Sequence, residues 1–245
     1  MSGIRFDHIA IAVPSLTAAP AFLVGVLGGA PAFGASGRGF RFGQWRFANR
    51  ARIEVLEPAG AQSFLHRFLA AHGAGIHHVT FKVPSLVEAC ARAERHGYTI
   101  VGYDDSHPSW KEAFLHPKQA LGIVVQFAEE GPRGGDAPPP WVPPPSPSAA
   151  TSPVSVIGLR LRAHTRDRAD TQWSDVLGGE RVSAADGTLV YRWPRSPLRI
   201  TVDPDPVAAE GPIAIEFAAD REVAVPPGRQ PGLGVAFERV PLPRD

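Results

Sequence analysis

The chain has 245 residues, enough for one large or two small domains that each bury a core. A net charge of +1 excludes the broad basic footprint of a nucleic-acid-binding protein, and no run approaches the ~18 uncharged apolar residues needed to cross a bilayer. The single cysteine, Cys90, excludes an intrachain disulfide and fits a reducing compartment.

The opening MSGIRFDHIAIAV holds only a short apolar run, preceded by an acid rather than by a charged leader region. A soluble, cytoplasmic protein with neither membrane nor nucleic-acid partners is the expectation. Within the same stretch, Ile9, Ile11 and Val13 alternate with smaller or polar residues at the period of a strand. Pro-Ser-Leu follows, then a helix-like segment from Ser15 to Leu27 with Ser15 as N-cap and Gly28 as stop. Further strands end in RIEVLEP at 52–58.

The same plan then begins again. IHHVTFKVPSL at 76–86 aligns without a gap on FDHIAIAVPSL at 6–16, which pairs His78 with His8. Ser85 to His96 is the second helix, Gly97 its stop, and GIVVQFAEE at 122–130 the closing strand. Cys90 shares helical spacing with Leu86 and Ala93 and reads as a small buried hydrophobe. The repeated unit is β-α-β-β-β, so the fold class is α+β with paired modules.

Residues 132–153, GGDAPPPWVPPPSPSAATS at their centre, form a stiff Pro-rich linker between a first domain at 1–131 and a second at 154–245. The second is a worn copy. VLGGERV from Val176 follows VLGGAPA from Val26, while a fourth unit survives only as GPIAIEF and LGVAFERV. Its counterparts of the site residues described next are Gly158, Thr201, Ala214 and Glu238, a set that would hold no transition metal. A second, degenerate module pair covering the first is expected, in a monomer with an internal pseudo-dimer or in a homodimer.

Strand parity selects the site. His8 and His78 point away from the helix-covering stripe, and so do Glu54 and Gln126 in the closing strands. If the sheets curl into one cup, these four converge on one divalent ion of the Zn, Ni, Co, Mn or Fe type. His77 has the opposite parity and reads as structural. Lysine occurs only at 82, 111 and 118. Arg41 and Arg46 in the first module, with Lys111 and Lys118 in the second, offer charge-assisted hydrogen bonds to a small anionic substrate. Trp45 and Trp110 are candidates for the cavity wall.

HIAIAVPSL, IEVLEP, GIHHVTFKV and FLHPKQALGIVVQF resemble the vicinal-oxygen-chelate superfamily, which includes glyoxalase I, methylmalonyl-CoA epimerase, extradiol dioxygenases and bleomycin-resistance proteins. The resemblance spans about residues 4–130 and is nearest to the epimerase-like and glyoxalase-like members. It implies paired modules forming a curved mixed-sheet cup that holds one metal through His8, Glu54, His78 and Gln126, with substrate chelating through two neighbouring oxygens. Two departures stand out: glutamine replaces the glutamate usual at position 126, and no acid occurs between Gly29 and Ile53. Glu54 and Gln126 are then the residues expected to set the chemistry. The implied functions are a metal-dependent isomerase or lyase moving a proton next to a carbonyl, an Fe(II) dioxygenase, or a non-catalytic small-molecule binding protein.

Overall fold

The computed structural model describes residues 3–132, 141–148, 151–183 and 187–242. β1 (Arg5–Ala12) leads through a 3-10 turn into α1 (Ala19–Leu23), then β2 (Ala30–Gly37), β3 (Phe40–Arg46) and β4 (Arg52–Pro58). After α2 (Leu65–His72), the plan returns as β5 (Gly75–Lys82), α3 (Leu86–Arg95), β6 (Ile100–Asp104), β7 (Trp110–Leu115) and β8 (Val124–Glu130). These eight strands form one sheet in the order β2-β3-β4-β1-β5-β8-β7-β6, so the first strands of the two modules lie side by side at its centre.

Ser85 caps α3 as the sequence predicts, its hydroxyl accepting from Glu88 N, whereas the Ser15 hydroxyl accepts from Thr17 N at the head of the 3-10 turn that precedes α1. Gly97 stops α3 and Gly28 closes the turns that follow α1, with φ of 83° and 70°, a conformation glycine adopts without steric cost. The first helix is shorter than the pattern suggested. Pro20 sits in its first turn, and beyond Leu23 four-residue bonds mix with five-residue ones, Gly25 N on Pro20 O and Leu27 N on Phe22 O. In α3 the Cys90 side chain is buried and its thiol is pushed up to about 11, first by burial and then by Glu94, which makes it inert at neutral pH.

Each helix entrance is tied to the last strand of its own module. Leu16 N donates to Glu57 Oε2 at 2.7 Å, and Leu86 N to Glu129 Oε2 at 2.7 Å. The other oxygen of each carboxylate takes a cation from the cross-strand partner, Arg41 at 2.6 Å and Lys111 at 2.8 Å. The two sets are repeat equivalents, acid for acid and base for base.

The face of the first module that carries the site side chains is otherwise apolar. Ala10, Ala12 and Leu56 are buried there under Leu65 of α2, with Phe40, Phe42, Phe68 and Leu69 against them. On the opposite face of β2 and β3, the paired Gly34 and Gly43 leave room for the Trp141 ring, which any Cβ there would strike. That ring lies edge-on to buried Trp45, centroids 5.8 Å apart. Trp141 belongs to the Pro-rich segment, of which 133–140 and 149–150 fall outside the described residues.

The later half contains β9 (Ser155–Ala163), α4 (Arg166–Asp170), a π-turn at Thr171–Val176, β10 (Glu180–Ser183), β11 (Leu189–Arg192), β12 (Arg199–Pro204), β13 (Gly211–Ala218) and β14 (Ala236–Arg239). They form a six-stranded sheet ordered β10-β11-β12-β9-β13-β14. Its register supports the repeat alignment: Ala214 stands opposite Ala236 and Glu216 opposite Glu238, as His78 stands opposite Val124 and Thr80 opposite Gln126. Between β13 and β14 no helix or strand forms among the described residues, the abbreviation that the sequence showed. The architecture is mixed α+β with paired modules.

By contacts the chain groups into two compact units, Met1–His8 with His78–Asp136 and Gly158–Ile213, and Ile9–His77 with Ala137–Ile157 and Ala214–Asp245. Phe81 is the aromatic hub of the first, 4.8 Å from the rings of Phe6 and Trp193. Phe22 against Phe237, also at 4.8 Å, anchors the second. Among the described residues no helix is long and apolar enough to cross a membrane.

Candidate metal centre

The central strands β4, β1 and β5 are neighbours in the sheet, so residues of equal parity near their midpoints approach one another. His8, Glu54 and His78 do so: each is buried, and each offers a ligand atom within 4.8 Å of those of the other two. The two imidazoles meet edge to face with centroids 5.9 Å apart.

The donors are held from behind. Asp7 Oδ2 lies 2.9 Å from His8 Nδ1, which turns Nε2 toward the cluster and fixes the ring, the usual arrangement for a metal-binding histidine. Glu54 Oε2 accepts from Gln44 Nε2 at 2.8 Å, and the Gln44 carbonyl accepts in turn from Arg52 at 3.2 Å. Two imidazoles and a carboxylate, desolvated and oriented by neighbours, are a donor set that fits one divalent transition metal.

Gln126 shares this face, as its parity required, but its amide is engaged on both sides. Its carbonyl accepts from Thr80 Oγ1 at 2.6 Å, and Thr80 Oγ1 also lies 3.0 Å from His8 Nε2. Its nitrogen donates to Glu112 Oε2 at 2.7 Å. The same oxygen of Glu112 accepts from Trp110 Nε1 at 2.9 Å. Trp110 is half-buried, and its other function is to carry Lys82, whose Nζ stands 3.4 Å over the ring and 2.8 Å from Glu130. A continuous polar wall therefore runs from His8 through Thr80, Gln126 and Glu112 to Trp110.

The structure distributes the remaining sequence candidates differently. Arg41 and Lys111 point to the helix face, where they neutralise Glu57 and Glu129 at the helix entrances. Trp45 is fully buried on the face of β3 away from Gln44. Arg46 lines a separate open depression of about 500 Å³ with Arg50, Gly28 and Pro153. Lys118 is exposed, its backbone N–H on His116 Nδ1. His77 packs between Phe64 and Phe68, and burial pushes its pKa down to about 4 despite the opposing field of Glu54.

Asp7, Gln44, Thr80, Lys82 and Glu112 complete the site without having been singled out from sequence. Parity alone carried a signal for Thr80 and Lys82, which follow His78 at intervals of two. For Glu112 the signal was its spacing of two from Trp110.

A family model described as glyoxalase/bleomycin resistance protein/dioxygenase superfamily matches residues 7–114. An uncharacterized Bacillus subtilis protein, YqjC, is 32% identical over 128 residues, 51% of this chain and 91% of that protein. An ethylmalonyl-CoA/methylmalonyl-CoA epimerase from Cereibacter sphaeroides is 33% identical over 133 residues, 51% of this chain and 97% of that protein. A solved structure of a hypothetical protein from Staphylococcus aureus shares the fold over 98% of this chain and 99% of its own, with a TM-score of 0.64 at 12% identity. By its repeated modules and these relatives, the chain belongs to the glyoxalase/bleomycin resistance protein/dioxygenase superfamily.

Proposed function

We propose that this protein is a metal-dependent isomerase or lyase that moves a proton on the carbon next to a carbonyl of a small anionic acyl substrate. The observation that carries the reading is the buried cluster of His8, Glu54 and His78. It is supported by the relative that bears the name of an acyl-CoA epimerase. His8, Glu54 and His78 would hold one divalent ion, which when bound supplies a Lewis acid for the substrate oxygen. Asp7 and Gln44 keep the donors in place, while the wall of buried Thr80 and Gln126 and half-buried Glu112 and Trp110 would border the acyl group.

The engaged amide of Gln126 also favours a second reading. Two histidines and one carboxylate with open positions are the donor set of Fe(II) oxygenases. Metal analysis of protein purified without added ions comes first. Solvent deuterium entering C2 of methylmalonyl-CoA would support proton transfer; oxygen uptake after anaerobic loading with iron, without deuterium exchange, would favour the oxygenase. Neither metal binding nor either activity would leave a small-molecule binding protein.

A further inference from the structure

We propose that Glu112 is the general base of this site, an assignment that rests on the proton-transfer reading above. Three observations carry it. Glu112 is half-buried at the site wall rather than sealed in the core. One of its oxygens, Oε2, receives both N–H groups that orient the carboxylate, from Gln126 at 2.7 Å and Trp110 at 2.9 Å. The other, Oε1, is engaged by no side chain or backbone group among the described residues. A carboxylate anchored through one oxygen and open at the other has the form a proton acceptor needs: fixed in direction, with a lone pair to use. Bonds through Gln126 and Thr80 connect it to His8, so its position is set relative to the donor cluster.

The step balances simply. Glu112 Oε1 takes the proton from the carbon next to the carbonyl, and the C–H bonding pair becomes the enolate, with its charge on the carbonyl oxygen. Glu112 is then a neutral acid, and return to carbon of that proton, or of the solvent deuteron for which Glu112 has exchanged it, regenerates the carboxylate.

Gln126 becomes intelligible on this assignment. A glutamate at 126 would set two carboxylates at hydrogen-bond distance, and the amide avoids that by donating where a second acid could only repel.

The test uses full-length protein loaded with zinc or cobalt, methylmalonyl-CoA in D2O, and proton NMR at C2. Wild type should take up deuterium. Glu112→Gln should slow uptake at least about 100-fold with KM and bound metal per chain unchanged, and Glu112→Asp should restore part of the rate. Exchange by Glu112→Gln at the wild-type rate overturns the assignment, as does a rate loss that tracks loss of metal. Metal-loaded wild type that exchanges no deuterium overturns the proton-transfer reading, and the assignment with it.

Discussion

Gln126 and Glu112 face each other across β8 and β7, the amide nitrogen of one 2.7 Å from the carboxylate oxygen of the other. Replacing Gln126 by glutamate turns this attraction into a meeting of two acids in a half-desolvated place. One of them must take a proton or swing away, so the pair should titrate upward. Gln126→Glu is expected to cost about 1–3 kcal/mol at pH 7, a fall of a few degrees in Tm. The raised folded-state pKa fixes the sign: the deficit should shrink as pH falls from 8 to 5 and protonation removes the repulsion. Thermal melts of both proteins across that range provide the measurement, and a deficit independent of pH would mean that the two acids do not interact.

Asp7 tests the support of the metal site without touching a ligand atom. Asp7→Asn leaves the shape but removes the charge beside His8 Nδ1, and zinc affinity should fall about 10- to 100-fold. Calorimetric titration of apo protein reads this directly. Unchanged affinity would show that the 2.9 Å contact merely orients the ring.

The helix anchors make a prediction about acid. The Glu129 carboxyl is held below its usual range, first by the Lys111 hydrogen bond and then by the Leu86 N–H. A depressed folded pKa contributes stability above the unfolded value of 4.5 and loses it as pH falls through the folded one. Glu129→Gln should therefore lower the urea midpoint at pH 7, and its difference from wild type should close below about pH 4. Deuterium exchange should survive the substitution, because Glu129 faces the helix rather than the site.

Trp141 offers the largest expected loss of stability. Trp141→Ala empties the groove over Gly34 and Gly43 and should cost about 3–5 kcal/mol, measured by urea unfolding. A cost below 1 kcal/mol would show that the ring is replaceable by water.

Most of the architecture was legible because repeats and parity are properties of the sequence itself. His8 and His78 could be paired from an ungapped alignment, and the alternation in RIEVLEP placed Glu54 beside them. Charge was the poorer guide. Arg41 and Lys111 looked like anion receptors because composition cannot reveal that Glu57 and Glu129, their partners on the adjacent strands, claim them. Glu112 went unnoticed for the converse reason: its spacing of two from Trp110 is a faint signal, and its meaning comes from the bonds that Gln126 and Trp110 bring to it. The first helix stops early where five-residue bonds enter after Leu23, a change of backbone pattern that propensity does not convey.

Under the proposed proton transfer, the apolar lining of the first module bears on the handedness of the product. The β3–β4 and β7–β8 registers make Phe42, opposite Leu56, the counterpart of Glu112, opposite Ala128. Where the second module presents an acid, the first presents a ring covered by α2. Inverting a stereocentre needs an acid on one side and a base on the other, whereas a single carboxylate delivers its proton to the face from which it took it. Deuterium should accordingly enter a chiral acyl substrate with its configuration retained, which chiral chromatography of the exchanged product would show. A chain that washes protons in and out without racemisation would suit a reaction whose product depends on where the double bond re-forms, and the loss of symmetry between two duplicated modules would be what decides it.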